Sequence, residues 1–181
     1  GGLPLKGAEP VPPEAEAQAL RAGRRRAAGE PLQYLLGEWD FLNLTLAVGP
    51  GVLIPRPDTE LLCETAAARL KGMGPPEAGR PLRVLDLCAG SGCVALGTAS
   101  LLPGLAVTAV EWSEEALAYL RQNCARYPRY SVEPVKADVL HDAGRFPDGW
   151  AAILSNPPYI PAADLPGLMP EVRREPRLAL D

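Results

Sequence analysis

The second half of the chain alternates continuous apolar runs with segments of helical period. Four segments read as strands, at residues 82–87, 105–112, 130–138 and 150–155, and the first of them is a continuous apolar run. The segments between the first three strands read as helices, and Ser113 is the predicted N-cap of the second helix. Strands without polar alternation are buried on both faces, so the pattern predicts an α/β fold with a doubly wound parallel sheet.

The first half of the chain has a different pattern. Residues 1–37 read as a Gly/Pro-rich arm (1–13) and a helix from Glu14 to Ala28, and residues 38–57 read as a β-hairpin connector that turns at Pro50-Gly51. A helix capped by Asp58 or Thr59 follows, with a Gly/Pro-rich linker at 71–81. Residues 58–181 then form the third predicted unit, which contains the sheet.

Composition, net charge and apolar run length limit the kinds of partner that the protein is expected to bind. The chain has 181 residues and a net charge of −4, so no global positive field exists to hold nucleic acid. A local cluster, Arg21 with residues 24–26, reads as a solvated helix face. No signal-peptide pattern and no apolar run of membrane-spanning length is present, so we expect no membrane partner and a cytoplasmic or organellar protein with reduced thiols. The spacing of the four cysteines does not suggest a metal site.

A glycine-rich loop follows the first strand of the sheet. It runs from Asp86 to Gly92 and leads into a helix, whose free N–H groups suit a ligand. The loop alone is ambiguous, because Gly90, Gly92 and Ala95 also satisfy a dinucleotide pattern, with Glu111 at the end of the second strand.

The carboxylates at the strand ends decide between these two interpretations. A charged Asp86 at the mouth of the loop would repel a pyrophosphate and would suit a cofactor with an ammonium and a sulfonium, such as S-adenosylmethionine. Glu111 is placed to accept ribose hydroxyls, and Asp138 follows the third strand where adenine would lie. We therefore expect a cofactor site at the carboxyl edge of the sheet.

Asn156-Pro157-Pro158-Tyr159 follows the fourth strand at the same edge. The two prolines stiffen the turn. If the Asn156 side-chain oxygen and the Pro157 carbonyl each accept one N–H of a planar NH2 group, the nitrogen lone pair is aimed at the methyl donor. Tyr159 would offer a flat face to the acceptor group. The pattern predicts a methyltransferase that modifies a planar NH2 group.

These motifs resemble the HemK/PrmC family of protein-glutamine methyltransferases, from about Pro31 to Asp181. The resemblance rests on PLQYLLGEWDF, VLIPRPDTELL, VLDLCAGSGCVAL, AVEWSEEAL, SNPPYIP and EPRLALD. It implies a class I methyltransferase fold, S-adenosylmethionine as cofactor, and methylation of the glutamine amide in the Gly-Gly-Gln loop of class I peptide release factors. Arg56, Asp58 and Glu60 are interpreted as residues that fix a helix start beside the cofactor.

The resemblance also assigns the site residues. The predicted catalytic residues are Asn156, Pro157 and Tyr159, and the substrate-binding set adds Pro158. The predicted cofactor-binding residues are Asp86, Cys88, Ala89, Gly90, Gly92, Glu111, Trp112, Asp138, Val139 and Asn156.

Two departures from the family qualify these expectations. The family has a longer N-terminal helical domain and a seven-stranded sheet, whereas four strands are expected here, in the order 3-2-1-4, with the fourth as an open edge. The fold is therefore expected to be truncated after strand four. The alternatives are methylation of an adenine amino group, which the same Asn-Pro-Pro-Tyr turn would suit, and a cofactor- or partner-binding fragment without turnover.

Overall fold

The computed structural model describes residues 10–74 and 80–181, and its centre is a four-stranded parallel sheet. The strands are β3 (Arg83–Leu87), β4 (Ala106–Glu111), β5 (Ser131–Lys136) and β6 (Ala152–Ser155). Their order is β5-β4-β3-β6, with every pairing parallel. The predicted fold class and strand order are confirmed.

Helices connect three of these strands. Helix α4 (Cys93–Leu101) links β3 to β4, and α5 (Glu114–Arg126) links β4 to β5. The Ser113 side chain accepts a hydrogen bond from the amide of Ala116, so its predicted capping role is confirmed.

The elements that precede the sheet are α1 (Pro13–Ala27), α2 (Leu32–Leu36), β1 (Glu38–Phe41), β2 (Leu44–Ala47) and α3 (Pro57–Gly72). Helix α1 has no buried residue, and Arg26 on its exposed side pairs with Glu171. Part of the predicted linker, residues 75–79, and most of the predicted arm lie outside the described residues.

The hairpin forms, but its predicted turn was wrong. β1 and β2 pair with Phe41 opposite Leu44, so the hairpin reverses at 42–43. Pro50-Gly51 does form a turn, in which the amide of Val52 donates to the carbonyl of Gly49, but it does not join two paired strands. The later segment is irregular although Val52 and Ile54 are buried. The Ile54 amide donates to the carboxylate of Glu175 at 2.9 Å and therefore needs no partner strand.

The predicted cap of α3 was also wrong. Arg56 is the N-cap residue and makes no side-chain cap bond, while Pro57 occupies the first helical position. Proline suits that position because its missing N–H would have no helical partner there. Glu60, in the first turn, accepts from the amide of Leu42 at 2.8 Å and ties the helix to the hairpin turn.

The hairpin and the sheet share one apolar core. Phe41 and Leu46 of the hairpin, Cys63 of α3, and Val84 and Val107 of the sheet belong to one buried cluster. Burial of this kind contributes about 25 cal/mol per Å² of apolar area. The hairpin is thereby fixed against the elements that build the site.

A buried amide adds a polar tie at the same place. The Asn123 oxygen accepts from the Ala47 amide at 2.7 Å, and its nitrogen donates to the carbonyls of Ala47 and Ser91. All polar groups of this side chain are used, which offsets the cost of burying it. Asn123 therefore links β2 of the hairpin to the loop after β3.

The last 22 residues form short 3-10 turns, at Leu165–Gly167, Val172–Arg174 and Arg177–Ala179. The segment returns to the sheet, because the amides of Tyr159 and Ile160 both donate to the carbonyl of Leu180. Within the described part of the chain, β6 pairs only with β3, and Ile153 on it is 59% exposed.

Candidate active site

The carboxyl ends of the four parallel strands surround a cavity of about 550 Å³. This volume is within the range of small-molecule sites, and the position is the one that parallel sheets favour for ligands. Eight of the ten predicted cofactor residues line it, namely Cys88, Ala89, Gly90, Glu111, Trp112, Asp138, Val139 and Asn156. Asp86 and Gly92 do not.

Gly92 serves packing behind the cavity wall. Its φ is 83°, and a Cβ at this position would lie 2.6 Å from Cδ1 of Leu120 on α5. A side chain there would have to displace the buried Leu120 side chain, and the positive φ is one that residues with a Cβ rarely adopt. This close approach, and not cofactor contact, explains the glycine.

Asp86 lies beneath the loop, which corrects its predicted place at the mouth. It is 1% exposed, and its Oδ2 accepts from the amide of Ala95 at 3.0 Å, near the start of α4. Its Oδ1 has no hydrogen-bond partner among the residues described. Burial, with a smaller contribution from the nearby charge of Glu111, raises the pKa of Asp86 to about 8, although the hydrogen bond from the Ala95 amide opposes the shift. Repulsion of a phosphate by an exposed Asp86 therefore does not operate here.

We expect the unfolding free energy of the wild-type chain to fall, relative to that of an Asp86→Asn variant, between about pH 4 and pH 8. In this window the unfolded chain has lost the Asp86 proton while the folded chain keeps it. Rising pH therefore favours unfolding, by up to about 1.4 kcal/mol per pH unit, until the folded group also ionises. Urea unfolding of both proteins across this range measures the difference, and a difference independent of pH would contradict the burial of Asp86.

Glu111, unlike Asp86, does line the cavity. Its two oxygens accept from the amides of Gly90 and Ser113, each at 2.8 Å. These bonds hold the glycine-rich loop against the end of β4 and fix the carboxylate orientation. Each oxygen keeps a free lone pair for a ligand hydroxyl.

Asp138 lines the cavity and also caps a turn. It accepts from the amide of Leu140 and from the ring of His141, both within 2.9 Å. The hydrogen bond from the His141 side chain holds the pKa of Asp138 below its usual range, with the Leu140 amide adding to the effect.

The charged lining of the cavity is predominantly acidic. Among the described residues, the charged ones that line it are Glu111, Asp138, Asp181 and Arg56. The Asp181 carboxylate is paired with Arg177 at 3.0 Å. The Arg56 guanidinium lies 2.5 Å from the carboxylate of Glu175, whose side chain is 2% exposed. The lining therefore suits a cationic ligand better than a phosphate.

A second cavity, of about 380 Å³, adjoins the first. Asn156 and Pro157 line both cavities, and so do Leu53, Arg56 and Thr59. Tyr159, which is 76% exposed, lines only the second, and Pro158 only the first. The predicted Asn-Pro-Pro-Tyr turn thus lies at the junction of the two cavities.

Sequence reasoning missed Glu175. Its carboxylate accepts from the Ile54 amide and pairs with Arg56. It therefore fastens the last 22 residues, the closing segment, to the wall shared by both cavities. The segment has no periodicity that would indicate a buried charge, and its only signal was the EPRLALD motif. Thr59 was considered only as a helix cap, and its place between the cavities was missed as well.

Two protein-family models match most of the chain. The family model described as Methyltransferase small domain matches residues 59–165, and the PrmC N-terminal domain model matches residues 2–37. The resemblance predicted from Pro31 therefore begins much earlier in the chain. Within the described residues, no helix is long and apolar enough to cross a bilayer, and no cluster of metal-binding side chains is found.

Two curated relatives illustrate the similarity. The chain is 41% identical over 181 residues to a release factor glutamine methyltransferase of Geobacter sulfurreducens. The aligned region covers 99% of this chain and 60% of the relative. It is 44% identical over 172 residues to a protein of the same name from Chlorobaculum tepidum, covering 91% and 58%. The chain thus spans about 60% of the length of these relatives.

A solved structure supports the fold alone. The structural match to the catalytic domain of hMettl16, in complex with MAT2A 3'UTR hairpin 6, covers 75% of this chain and 50% of the hMettl16 chain. The TM-score is 0.54 and the sequence identity 16%.

Proposed function

Since the chain belongs to the methyltransferase small domain family, in its HemK/PrmC branch, we propose that it methylates the side-chain amide nitrogen of a glutamine. The proposed methyl donor is S-adenosylmethionine, and the proposed substrate is the Gly-Gly-Gln loop of a class I peptide release factor. The observation that carries this proposal is the junction of two cavities at Asn156 and Pro157. One cavity would hold the donor and the other the glutamine.

The larger cavity fits S-adenosylmethionine in charge and size. This cofactor carries an ammonium and a sulfonium and no phosphate, which matches the acidic lining. We propose that Glu111 accepts the ribose hydroxyls, that the loop at Ala89 and Gly90 lies against the methionine portion, and that Trp112, Asp138 and Val139 surround the adenine. When bound, the cofactor supplies an electrophilic methyl group on its sulfonium.

The residues of this chain would have to activate the glutamine amide nitrogen, which is a poor nucleophile. The lone pair of an amide nitrogen is delocalised into its carbonyl and cannot attack until that delocalisation is broken. Asn156 Oδ1 and the Pro157 carbonyl would each accept one N–H of the glutamine amide, which leaves the lone pair directed at the donor cavity. The same oxygens would stabilise the positive charge that builds on nitrogen as the nitrogen–methyl bond forms and the methyl–sulfur bond breaks. The methylated nitrogen then loses one of its N–H protons to solvent.

The proline pair keeps these acceptors in place. Pro157 and Pro158 have fixed φ angles, and the following amides of Tyr159 and Ile160 donate to Leu180 of the closing segment. The turn is thus held at both ends, by β6 and by the closing segment. Tyr159 would cover the planar glutamine amide from the second cavity.

Methyl transfer to a defined panel tests this function. Radiolabelled S-adenosylmethionine is offered with a class I release factor, with its Gln→Ala loop variant as the matched control, and with a ribosomal protein and adenine-containing DNA. We expect label on the intact release factor alone. Label on the DNA would favour adenine methylation, and calorimetric cofactor binding without any transfer would favour a non-catalytic fragment. The release-factor substrate would place the reaction where translation occurs, in the cytoplasm or in a mitochondrion.

A further inference from the structure

We propose that Thr59 is a positioning residue for the reaction, because it holds the Asn156 side-chain amide with its oxygen toward the substrate. This inference rests on the proposed function of Asn156. Thr59 is 7% exposed, lines both cavities, and lies in the first turn of α3. Asn156 Nδ2 donates to Thr59 Oγ1 at 3.4 Å, a contact that joins the turn after β6 to α3 across 97 residues of sequence.

The orientation of this amide matters because its two ends have opposite roles. The oxygen can accept an N–H of the glutamine amide, whereas the NH2 group can only donate to it. A half-turn about the last side-chain torsion exchanges the two ends with almost no change in shape. With the NH2 end forward, two donors would face each other and the acceptor nitrogen would not be held.

Thr59 holds the Asn156 amide in the productive orientation in the observed geometry. Its hydroxyl oxygen accepts from Nδ2, which places that end against α3. Oδ1 accepts from no side chain or amide in residues 10–74 and 80–181, so it stays available to a substrate. The Thr59 side chain that holds the amide is thus buried, while Asn156 lies at the junction of the two cavities.

Thr59 itself is held by the start of the helix. Pro57 fixes the first helical position, and the Thr59 amide donates to the carbonyl of Arg56 at 3.0 Å. Arg56 is in turn paired with the buried carboxylate of Glu175. The branched side chain of threonine is restricted to two main χ1 rotamers in a helix, so its hydroxyl has few alternative positions.

Two substitutions separate orientation from packing. Thr59→Val keeps the shape and burial but removes the hydroxyl, and Thr59→Ser keeps the hydroxyl but removes a methyl group. We expect Thr59→Val to lower the single-turnover rate on the release factor about three- to tenfold, at unchanged cofactor affinity. We expect Thr59→Ser to retain the wild-type rate. Equal losses in both variants, no loss in the valine variant, or a parallel loss of cofactor affinity would overturn the proposal.

A second measurement on the same 181-residue chain does not depend on turnover. The chain contains three asparagines, Asn43, Asn123 and Asn156, so selective ¹⁵N-asparagine labelling gives three side-chain NH2 signals. We expect Thr59→Val to shift the Asn156 signal and to speed its exchange with water, while Thr59→Ser and the other two signals stay unchanged. An unmoved Asn156 signal would overturn the Thr59 contact. If the wild-type chain methylates no release factor, the proposed function fails while this spectrum still decides the contact.

Discussion

Replacing Asn156 with alanine is expected to slow methyl transfer to a release factor by about a hundred- to thousandfold. The side chain lies at the junction of the two cavities, where its oxygen would meet the acceptor amide. The interaction strengthens as the nitrogen gains positive charge, so the loss falls on the transition state and far less on cofactor binding. The corresponding cost is about 2.7–4 kcal/mol.

Single-turnover rates and calorimetric cofactor affinity, measured side by side, test this expectation. Asn43→Ala is the matched control, because Asn43 is exposed in the hairpin turn. Within the described residues, the only side-chain hydrogen bond of Asn43 is the one that it accepts from the Ser100 hydroxyl. Asn156→Asp is a sharper probe, since it keeps the shape and an acceptor oxygen but adds a charge that must be desolvated. An alanine variant that methylates at the wild-type rate would show that this turn does not hold the acceptor.

Replacing Glu111 with glutamine is expected to weaken S-adenosylmethionine binding by roughly 10–150-fold, the value of a hydrogen bond to a charged group. The carboxylate loses its charge, and the new NH2 group faces an amide N–H at Gly90 or Ser113, where an acceptor stood before. Both the proposed ribose contact and the loop that supports it are therefore affected.

Calorimetry with S-adenosylmethionine, with its demethylated product and with NADH measures the Glu111 effect. Glu133→Gln is the control, because Glu133 is an exposed carboxylate on the neighbouring strand β5. Binding of NADH in place of S-adenosylmethionine, with equal affinities in the Glu111 variant and the wild type, would refute the cofactor assignment. The glycine pattern alone did not exclude a dinucleotide, so this comparison is needed.

The elements that the sequence predicts best are the buried strands and the helices between them. The apolar run at 82–87 indicates burial on both faces, and its alternation with helices predicts a parallel sheet. The strand order follows from the resemblance. The Asn-Pro-Pro-Tyr turn was also placed correctly at the carboxyl ends of the strands, because the carboxyl ends of parallel strands all lie on the same side of the sheet.

The errors concern interactions that local pattern does not contain. Asp86 was expected at the mouth of the loop, but a strand buried on both faces does not reveal which way one polar side chain points. Val52 and Ile54 were read as a strand because they are apolar, whereas the Ile54 amide is satisfied by Glu175, 121 residues away. A contact of that sequence separation leaves no periodic signal in either segment.

The most direct test of the central claim is to locate the methyl group after one turnover. The chain, S-adenosylmethionine and a class I release factor are mixed, and the modified release factor is fragmented by mass spectrometry. The account predicts one added methyl on the side-chain amide nitrogen of the Gly-Gly-Gln glutamine, and none when Asn156 is alanine over the same interval. A methyl group on another residue, or on the glutamine at the same rate in both proteins, would contradict it.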